Sequence, residues 1–332
     1  GIKGFKYPGS DRPCFLEFTS SVIDPSDPDH ILLGALGDFD TIDSTFNKAG
    51  GLLETKDGGE TWTQILTNSV VAYVHDIAID PTNSNIIYYI TSTTKPANKD
   101  KTLLTKGLVY KTTDGGKTWT ELSTGLLDST GAQNIHINPN NPSQLIVTTA
   151  TFKQGPMGRV ATTETMGILV SNDGGITWKG IKSLPSNDST VLASFGSENN
   201  FNNLYVSVMS ESSAKSYFSK DAGLTFQKSL IPMDVVAYDP ADLSGNTMLG
   251  YSWQSGFRTM YKSLDAGKSW RQFGTLPAEI TKLQDAKTRI SKIVISPKNS
   301  NVIYMRGGSG LVWKSLDSGI TWDNVLSLET LP

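Results

Sequence analysis

The chain has a single cysteine, Cys14, so no internal disulfide can form. That fits a reducing compartment, and equally a secreted protein held together by sheet packing. No apolar run approaches the ~18 residues of a membrane-spanning helix. No Lys/Arg run reaches five residues, and the net charge is −3. These absences exclude a nucleic-acid groove, a polybasic membrane patch and a membrane segment in this chain. Three histidines beside one cysteine argue against a zinc site, and no metal site is expected from them. Long amphipathic helices are missing too; Lys282–Arg289 has room for a turn or two. Charged residues are 18%, below the roughly 25% of ordinary soluble domains. The chain opens at Gly1 without a signal peptide, which reads as a mature or excised segment.

Ser, Thr, Asn and Gly take up the difference, the composition of a turn-rich all-β protein. They are organised around one phrase, Y-K-T-T-D-G-G-K-T-W at Tyr110–Trp119. Near-copies end at Trp62, Trp178, Phe226, Trp270 and Trp322, making six in all. Repetition at about fifty residues marks a repeat architecture. A second landmark lies upstream in each unit, as in Ile79-Asp80-Pro81 followed by Ile86-Ile87-Tyr88-Tyr89. In the fourth copy, Phe195-Gly196-Ser197 lacks the proline.

Each unit therefore reads as four short strands, A to D: for the second, Asp76–Asp80, Ile86–Thr91, Leu108–Thr112 and Thr118–Leu122. Four-stranded antiparallel units repeated at this length are propeller blades, because a lone blade leaves both faces unburied. The expected fold is a single all-β domain over 1–332, a six-bladed β-propeller. Its blades run at about 14–66, 71–122, 132–182, 190–228, 233–273 and 288–326, with seven blades as the alternative if Gly1–Pro13 hides part of another.

The phrase has a physical reading. Glycines such as Gly58-Gly59 supply the positive φ of a tight C–D turn. The aspartates Asp57, Asp114, Asp173, Asp221, Asp265 and Asp317 accept hydrogen bonds from the turn. The aromatic residue then plugs the space between sheets, worth about 4–6 kcal/mol at full burial. Six identical aspartates look catalytic, yet six copies cannot line one site, so a structural role is expected.

S/T-x-D-x-G-x-T-W resembles the Asp-box, or bacterial neuraminidase repeat. It is found in sialidases, in the two-propeller xyloglucanases of glycoside hydrolase family 74, in sortilin ectodomains and in photosystem II assembly factors. The I-D-P-x-N-x-x-x-I-I-Y phrasing is similar to the xyloglucanase and sortilin branch. The resemblance implies a propeller, and it implies an extracellular or cell-surface protein directed at carbohydrate. The sequon Asn187-Asp188-Ser189 is compatible with secretion.

In antiparallel blades the A–B and C–D turns share one rim, and the B–C loops and D–A connections share the other. Function is expected on the second rim, with a glycan or protein as partner. From the A–B landmark to the box aspartate, blades one to three take 33, 34 and 35 residues, and blade six takes 21. The surplus falls in the B–C loops Gly37–Gly50, Ser92–Gly107 and Ala150–Gly167.

Asp38, Asp40 and Asp43 cluster in the first of these loops. Clustered carboxylates raise one another's pKa, which suits a general acid and base. The xyloglucanase resemblance, carried by Gly37-Asp38 but without the following glycine pair, implies Asp38 as acid or base, with Asp40 beside it. The same D-x-D-x-x-D spacing also suits Ca²⁺, or a solvated acidic loop. His75 and Asp76 open strand A of blade two and His136 lies on strand A of blade three, where a His–carboxylate pair could shuttle protons or satisfy buried groups. Trp253 is the aromatic that the box does not explain, a stacking platform for sugar or an interblade contact. Arg159, Arg258 and Arg306 lie on or near the same rim; the sialidase resemblance would have three arginines grip a carboxylate. Three functions stand side by side: a propeller that binds or cleaves polysaccharide, a non-catalytic protein scaffold, and a sialidase-type exoglycosidase.

Overall fold

The computed structural model describes residues 17–36, 39–40, 45–46, 51–66, 74–93, 106–122, 130–155, 158–161, 168–181, 190–209, 214–254, 257–277, 280, 290–307 and 311–326. Asp38, Asp43 and Lys282–Arg289 lie outside these residues. The described elements build six four-stranded antiparallel blades, the fold class of a six-bladed β-propeller. They fall into two compact units, 1–182 with blades one to three and 183–332 with blades four to six.

In the first unit, strands A to D are Glu17–Asp24, Asp27–Leu36, Gly51–Thr55 and Thr63–Leu66 in blade one. Blade two has Val74–Ile79, Ile87–Thr93, Lys106–Thr112 and Thr120–Glu121. Blade three has Thr130–Ile137, Leu145–Gly155, Ile168–Ser171 and Lys179–Ile181. In the second unit, blade four is Thr190–Gly196, Leu204–Met209, Ala214–Ser219 and Gln227–Lys228. Blade five is Val235–Tyr238, Met248–Gln254, Phe257–Ser263 and Arg271–Gln272, and blade six is Ile290–Ser296, Asn299–Gly307, Val312–Ser315 and Asp323–Leu326.

Strand B carries the core. Ile87, Tyr88, Tyr89 and Ile90 are each at most 1% exposed, so both faces of blade two are covered. Such continuous burial explains why the B strands read as unbroken apolar runs rather than as alternating ones. Core clusters join neighbouring blades within a unit: Leu32 and Leu52 of blade one pack with Ile77, Ile87 and Tyr89 of blade two. Tyr251 and Met260 of blade five pack with Ile293, Met305 and Trp313 of blade six.

The box phrase builds the same clamp six times. In blade one, Thr55 Oγ1 donates to Asp57 Oδ1 at 2.6 Å and accepts from Gly59 N at 3.0 Å. Thr61 N and Oγ1 donate to the Asp57 carboxylate at 2.9 and 2.5 Å. The first residue after the aspartate then donates its N–H to the A–B turn: Gly58 to Asp29 O, Gly115 to Asn85 O, Gly174 to Ser143 O. Ala222, Ala266 and Ser318 do the same to Asn202, Asn246 and Asn301. Both turns therefore sit at one edge of every blade, as the strand directions require.

The box rings are less buried than plugs would be. Trp270 is 8% exposed, whereas Trp62, Trp119, Trp178 and Trp322 are half-buried. The half-buried rings keep their indole N–H groups bonded: Trp178 donates to Leu122 O at 3.1 Å and Trp322 to Thr275 O at 2.9 Å. A donor at the ring edge anchors it near water, so the full-burial energy is an upper bound.

Candidate functional site

The opposite edge of the blades is irregular, and the irregularity starts in strand A. Strand A bulges at the same column in five blades, at Thr19, His75, Gln133, Leu192 and Ser291. Each lies six positions before the A–B proline column, which Glu198 fills in blade four. A bulge puts two residues opposite one and re-aims the side chains beside it. In blade five Asp234 occupies the column; its N–H donates to Tyr251 O at 2.8 Å. Its carboxylate accepts from Trp253 N at 2.7 Å.

In the first unit the bulges are tied from blade to blade. Thr19 Oγ1 donates to Val74 O. Asp76 Oδ2 accepts from Ile135 N at 3.1 Å and Asn134 Nδ2 at 3.4 Å, while Oδ1 accepts from Ile77 N at 3.0 Å. The column after the bulge reads Ser20, Asp76 and Asn134 in blades one to three, but Ala193, Val235 and Lys292 in blades four to six. The first unit thus carries a polar row of half-buried groups, Thr19, Ser20, His75, Asp76, Gln133, Asn134 and His136. Asp76 is spent on backbone and amide donors, which fixes it as an acceptor that positions the neighbouring strand. His75 and His136 stand on the same two A strands, beside the donor-rich Gln133 and Asn134.

Two of the three long B–C loops contain described strands. In blade one the insertion contains a two-residue ladder pairing Phe39 with Phe46 and Asp40 with Thr45. In blade three strand B runs on to Gly155 and turns back through a further strand, Gly158–Ala161, which sets Arg159 opposite Gln154. Part of the surplus is therefore built into β-structure in both blades. Asp40 and Arg159 are placed on those strands, and Asp38 and Asp43 lie outside the described residues.

The second unit presents a different constellation on the B–C hairpin of blade five. The Arg258 guanidinium lies over the Trp253 ring at 4.8 Å, and its Nη1 donates to Ile280 O at 2.6 Å. Trp253 is half-buried against the core shared by blades five and six. Its ring therefore has a cation on it and packing beneath. The open ring of this hairpin is Phe257, 78% exposed. Arg306 lies on strand B of blade six, exposed, opposite Lys292.

On the turn rim the six aspartates are fixed anions. Hydrogen bonds from Thr55 and Thr61 hold Asp57 at about 2. Those from Thr177 and Ser171 hold Asp173 at about 2, and those from Thr321 and Ser315 do the same to Asp317. A general acid needs the reverse shift. His30 adds a second anchor there, with Nδ1 2.9 Å from Asp24 Oδ2 and Nε2 2.9 Å from Glu54 Oε1. Burial pushes the Asp24 carboxyl up, but hydrogen bonds from Ser84, His30 and Ser26 outweigh it and hold it well below the carboxylate range. Among the described residues, no three His, Cys, Asp or Glu side chains group as metal ligands.

Sequence reasoning missed the bulge column, Asn134 and Asp234. The signal was available: aligning strand A on the proline column sets Ser20, Asp76 and Asn134 against Ala193 and Val235.

Known proteins resemble this geometry. The family model for Sortilin-Vps10 (sortilin, neurotensin receptor 3) matches residues 50–167. A xyloglucanase of Hypocrea jecorina (strain QM6a) is 34% identical over 101 residues, 29% of this chain and 12% of that protein. The solved family-74 glycoside hydrolase of Niastella koreensis superposes with a TM-score of 0.65 at 18% identity, covering 92% of this chain and 46% of that one. The structure of YCF48 bound to D1 peptide gives 0.59 at 16% identity, covering 96% and 85%. The chain thus spans less than half the length of the xyloglucanase and of the family-74 enzyme that it matches.

Proposed function

We propose a carbohydrate-directed role for this chain, which resembles the propellers of the family-74 xyloglucanases and of sortilin: it binds a xyloglucan-type polysaccharide on the B–C/D–A rim of blades one to three. The observation that carries this reading is the polar row of the first unit. His75 and Gln133 stand at the bulge column of successive A strands, with Asp76 and Asn134 just after them and His136 further along, and the strands are tied by Asp76 to Ile135 and by Thr19 to Val74. Sugars present hydroxyls that need both donors and acceptors, and Gln133, Asn134, His75 and His136 offer both. The row lies below the blades whose B–C loops are longest, where a rigid scaffold places binding loops. Extracellular or cell-surface localisation goes with this reading.

Hydrolysis is a separate step of the proposal, assigned to Asp38 and Asp40, with Asp43 nearby. Asp76 and the box aspartates are already committed to donors. Asp38→Asn is expected to abolish release of oligosaccharide while leaving the melting temperature unchanged; unchanged release removes Asp38 from the mechanism.

Binding is tested by affinity electrophoresis in gels containing xyloglucan, with protein retardation as the readout. The native chain should be retarded, and His75→Ala with His136→Ala should weaken retardation about tenfold, the loss of one or two hydrogen bonds. A native chain that migrates as in a sugar-free gel would overturn the reading. Retardation insensitive to both substitutions would move the site elsewhere.

A further inference from the structure

One ionic group sits where blade one packs on blade two, at the turn-rim end of their contact. His30 lies on strand B two residues before Leu32, so the two side chains share a face. Glu54 shares it too, as the direct partner of Leu32 on strand C. Leu32 and Leu52 of that face pack with Ile77, Ile87 and Tyr89 of blade two. Asp24 reaches the same place from the end of strand A. Its carboxylate accepts from Ser84 in the A–B turn of blade two, and Ser26 Oγ lies 3.0 Å from Ser84 Oγ. His30 and Asp24 are both buried.

The columns that build this group carry other chemistry in the other blades. The His30 column reads Ile86, Gln144, Asn203, Thr247 and Val302 in blades two to six. The Glu54 column, three residues before the box aspartate, reads Lys111, Val170, Phe218, Lys262 and Lys314. Blade three has a neutral counterpart. There Asn138 Nδ2 donates to Gln144 Oε1 at 2.6 Å, and Gln144 Nε2 donates to Asn172 Oδ1 at 3.2 Å. An amide has a donor end and an acceptor end, so Gln144 bridges its two partners without a charge. His30 faces two acceptors instead, with Nδ1 2.9 Å from Asp24 Oδ2 and Nε2 2.9 Å from Glu54 Oε1. A neutral imidazole carries one N–H and one lone pair, and the lone pair would then face a carboxylate oxygen. Both carboxylates are acceptors for other donors as well. Asp24 Oδ1 accepts from Ser26 N and Oγ at 2.8 Å, and Glu54 Oε1 receives the Lys56 ammonium at 3.3 Å.

We propose that His30 is a doubly protonated imidazolium, a latch that holds the A–B turn of blade one against blade two until alkaline solution removes one of its protons. The groups around it among the described residues are Asp24 at the end of strand A, Glu54 on strand C, and Lys56 beside Glu54. Asp27 and Asp29 stand on the turn that leads into it, and blade two contributes the neutral Ser84. Two anions against one ring favour its charged form. The latch therefore contributes fully below the value of an unfolded histidine, and its contribution is lost as pH rises. A ring that has lost one proton keeps one carboxylate and turns a lone pair to the other, which releases strand A from strand B at this end. The proposal is independent of what the opposite rim binds.

The test reads the ring itself. Heteronuclear NMR of the whole chain with isotope-labelled histidine separates an imidazolium from either neutral tautomer. The chain has three histidines, so His75→Ala and His136→Ala assign the His30 signals by elimination. In mildly alkaline solution, where an ordinary imidazole of about 6.5 is neutral, both His30 nitrogens should still show the shift of an N–H. One N–H beside one bare nitrogen overturns the proposal. Glu54→Gln should move the loss of the proton to lower pH, and an unmoved transition overturns it as well. Hydrogen exchange then reads the latch. Protection of residues 27–31 should fall about tenfold as the ring loses its proton, the loss of one charge-assisted hydrogen bond. In His30→Gln, the neutral form that blade three uses, protection corrected for intrinsic exchange should stay level with pH. An equal fall in both proteins refutes the latch, and the ring spectra of the native chain decide the protonation state even where His30→Gln does not fold.

Discussion

Replacing Ala222 by glycine should stabilise the protein, although it removes a side chain. The first residue after the box aspartate is in the left-handed region in every blade. Blades one to three use glycine there, at φ 69°, 70° and 69° for Gly58, Gly115 and Gly174. Blades four to six use Ala222, Ala266 and Ser318 at 57°, 59° and 63°. An L-residue pays about 1–2 kcal/mol for that conformation, and glycine gives back about 0.4–1 kcal/mol through unfolded-chain entropy. The N–H that clamps the A–B turn, from Ala222 to Asn202 O at 3.0 Å, survives the change. Ala222→Gly should therefore gain about 0.5–1 kcal/mol.

The other two positions make the comparison decisive. Ala266 is fully buried, so its lost methyl, about 0.8 kcal/mol, offsets the relief and the net change should be near zero. Ser318 Oγ donates to Asn301 Oδ1 at 2.6 Å, and losing that bond, about 1 kcal/mol, should cancel the gain or reverse it. The mirror experiment is Gly58→Ala, whose added Cβ would lie 3.1 Å from Asp29 Oδ1 at φ +69°; a loss of about 1–2 kcal/mol is expected. Urea unfolding followed by tryptophan fluorescence gives all four values. The order Ala222→Gly, Ala266→Gly, Ser318→Gly, Gly58→Ala, from most to least stable, is the prediction. A destabilising Ala222→Gly beside a neutral Gly58→Ala would refute the reasoning.

Acid should loosen the turn rim: Asp57, Asp173 and Asp317 are held at about 2 against an ordinary 3.8. Because the folded value is lowered, their contribution is complete above the unfolded value and lost as pH falls towards 2. The melting temperature should hold near neutrality and drop between about pH 4 and 2, and Asp57→Asn should flatten the drop; an unchanged profile would count against the clamp. Asp76→Ala leaves the Ile135 N–H without its carboxylate and should cost about 2–3 kcal/mol by chemical denaturation, with a loss under about 0.5 kcal/mol contradicting the cross-blade tie. Arg258→Ala should cost about 1–2 kcal/mol, because the Ile280 carbonyl loses its 2.6 Å donor and Trp253 its cation; Arg258→Ala with native stability would mean that this stack is ornamental.

Much of the fold was legible because turns are local chemistry. The box aspartate bonds residues within four positions of itself, so S-x-D-x-G-x-T spells its own hydrogen bonds. Loop lengths measured between such fixed points also located the insertions of blades one and three, whose described residues form short ladders. The site was less legible, since its ties are long-range. Asp76 meets Ile135 across 59 residues, and no periodicity in V-H-D-I-A-I announces that partner. Trp253 stood out as the aromatic without a box, but its identity could not reveal that Arg258 lies on its ring.

Hydrogen exchange of the whole chain with and without a saturating xyloglucan oligosaccharide tests the central claim most directly. The account predicts new protection in Val74–Ile79 and Thr130–Ile137, the A strands of blades two and three, with no change at the box turns. Protection confined to the box turns, or none anywhere, would contradict it.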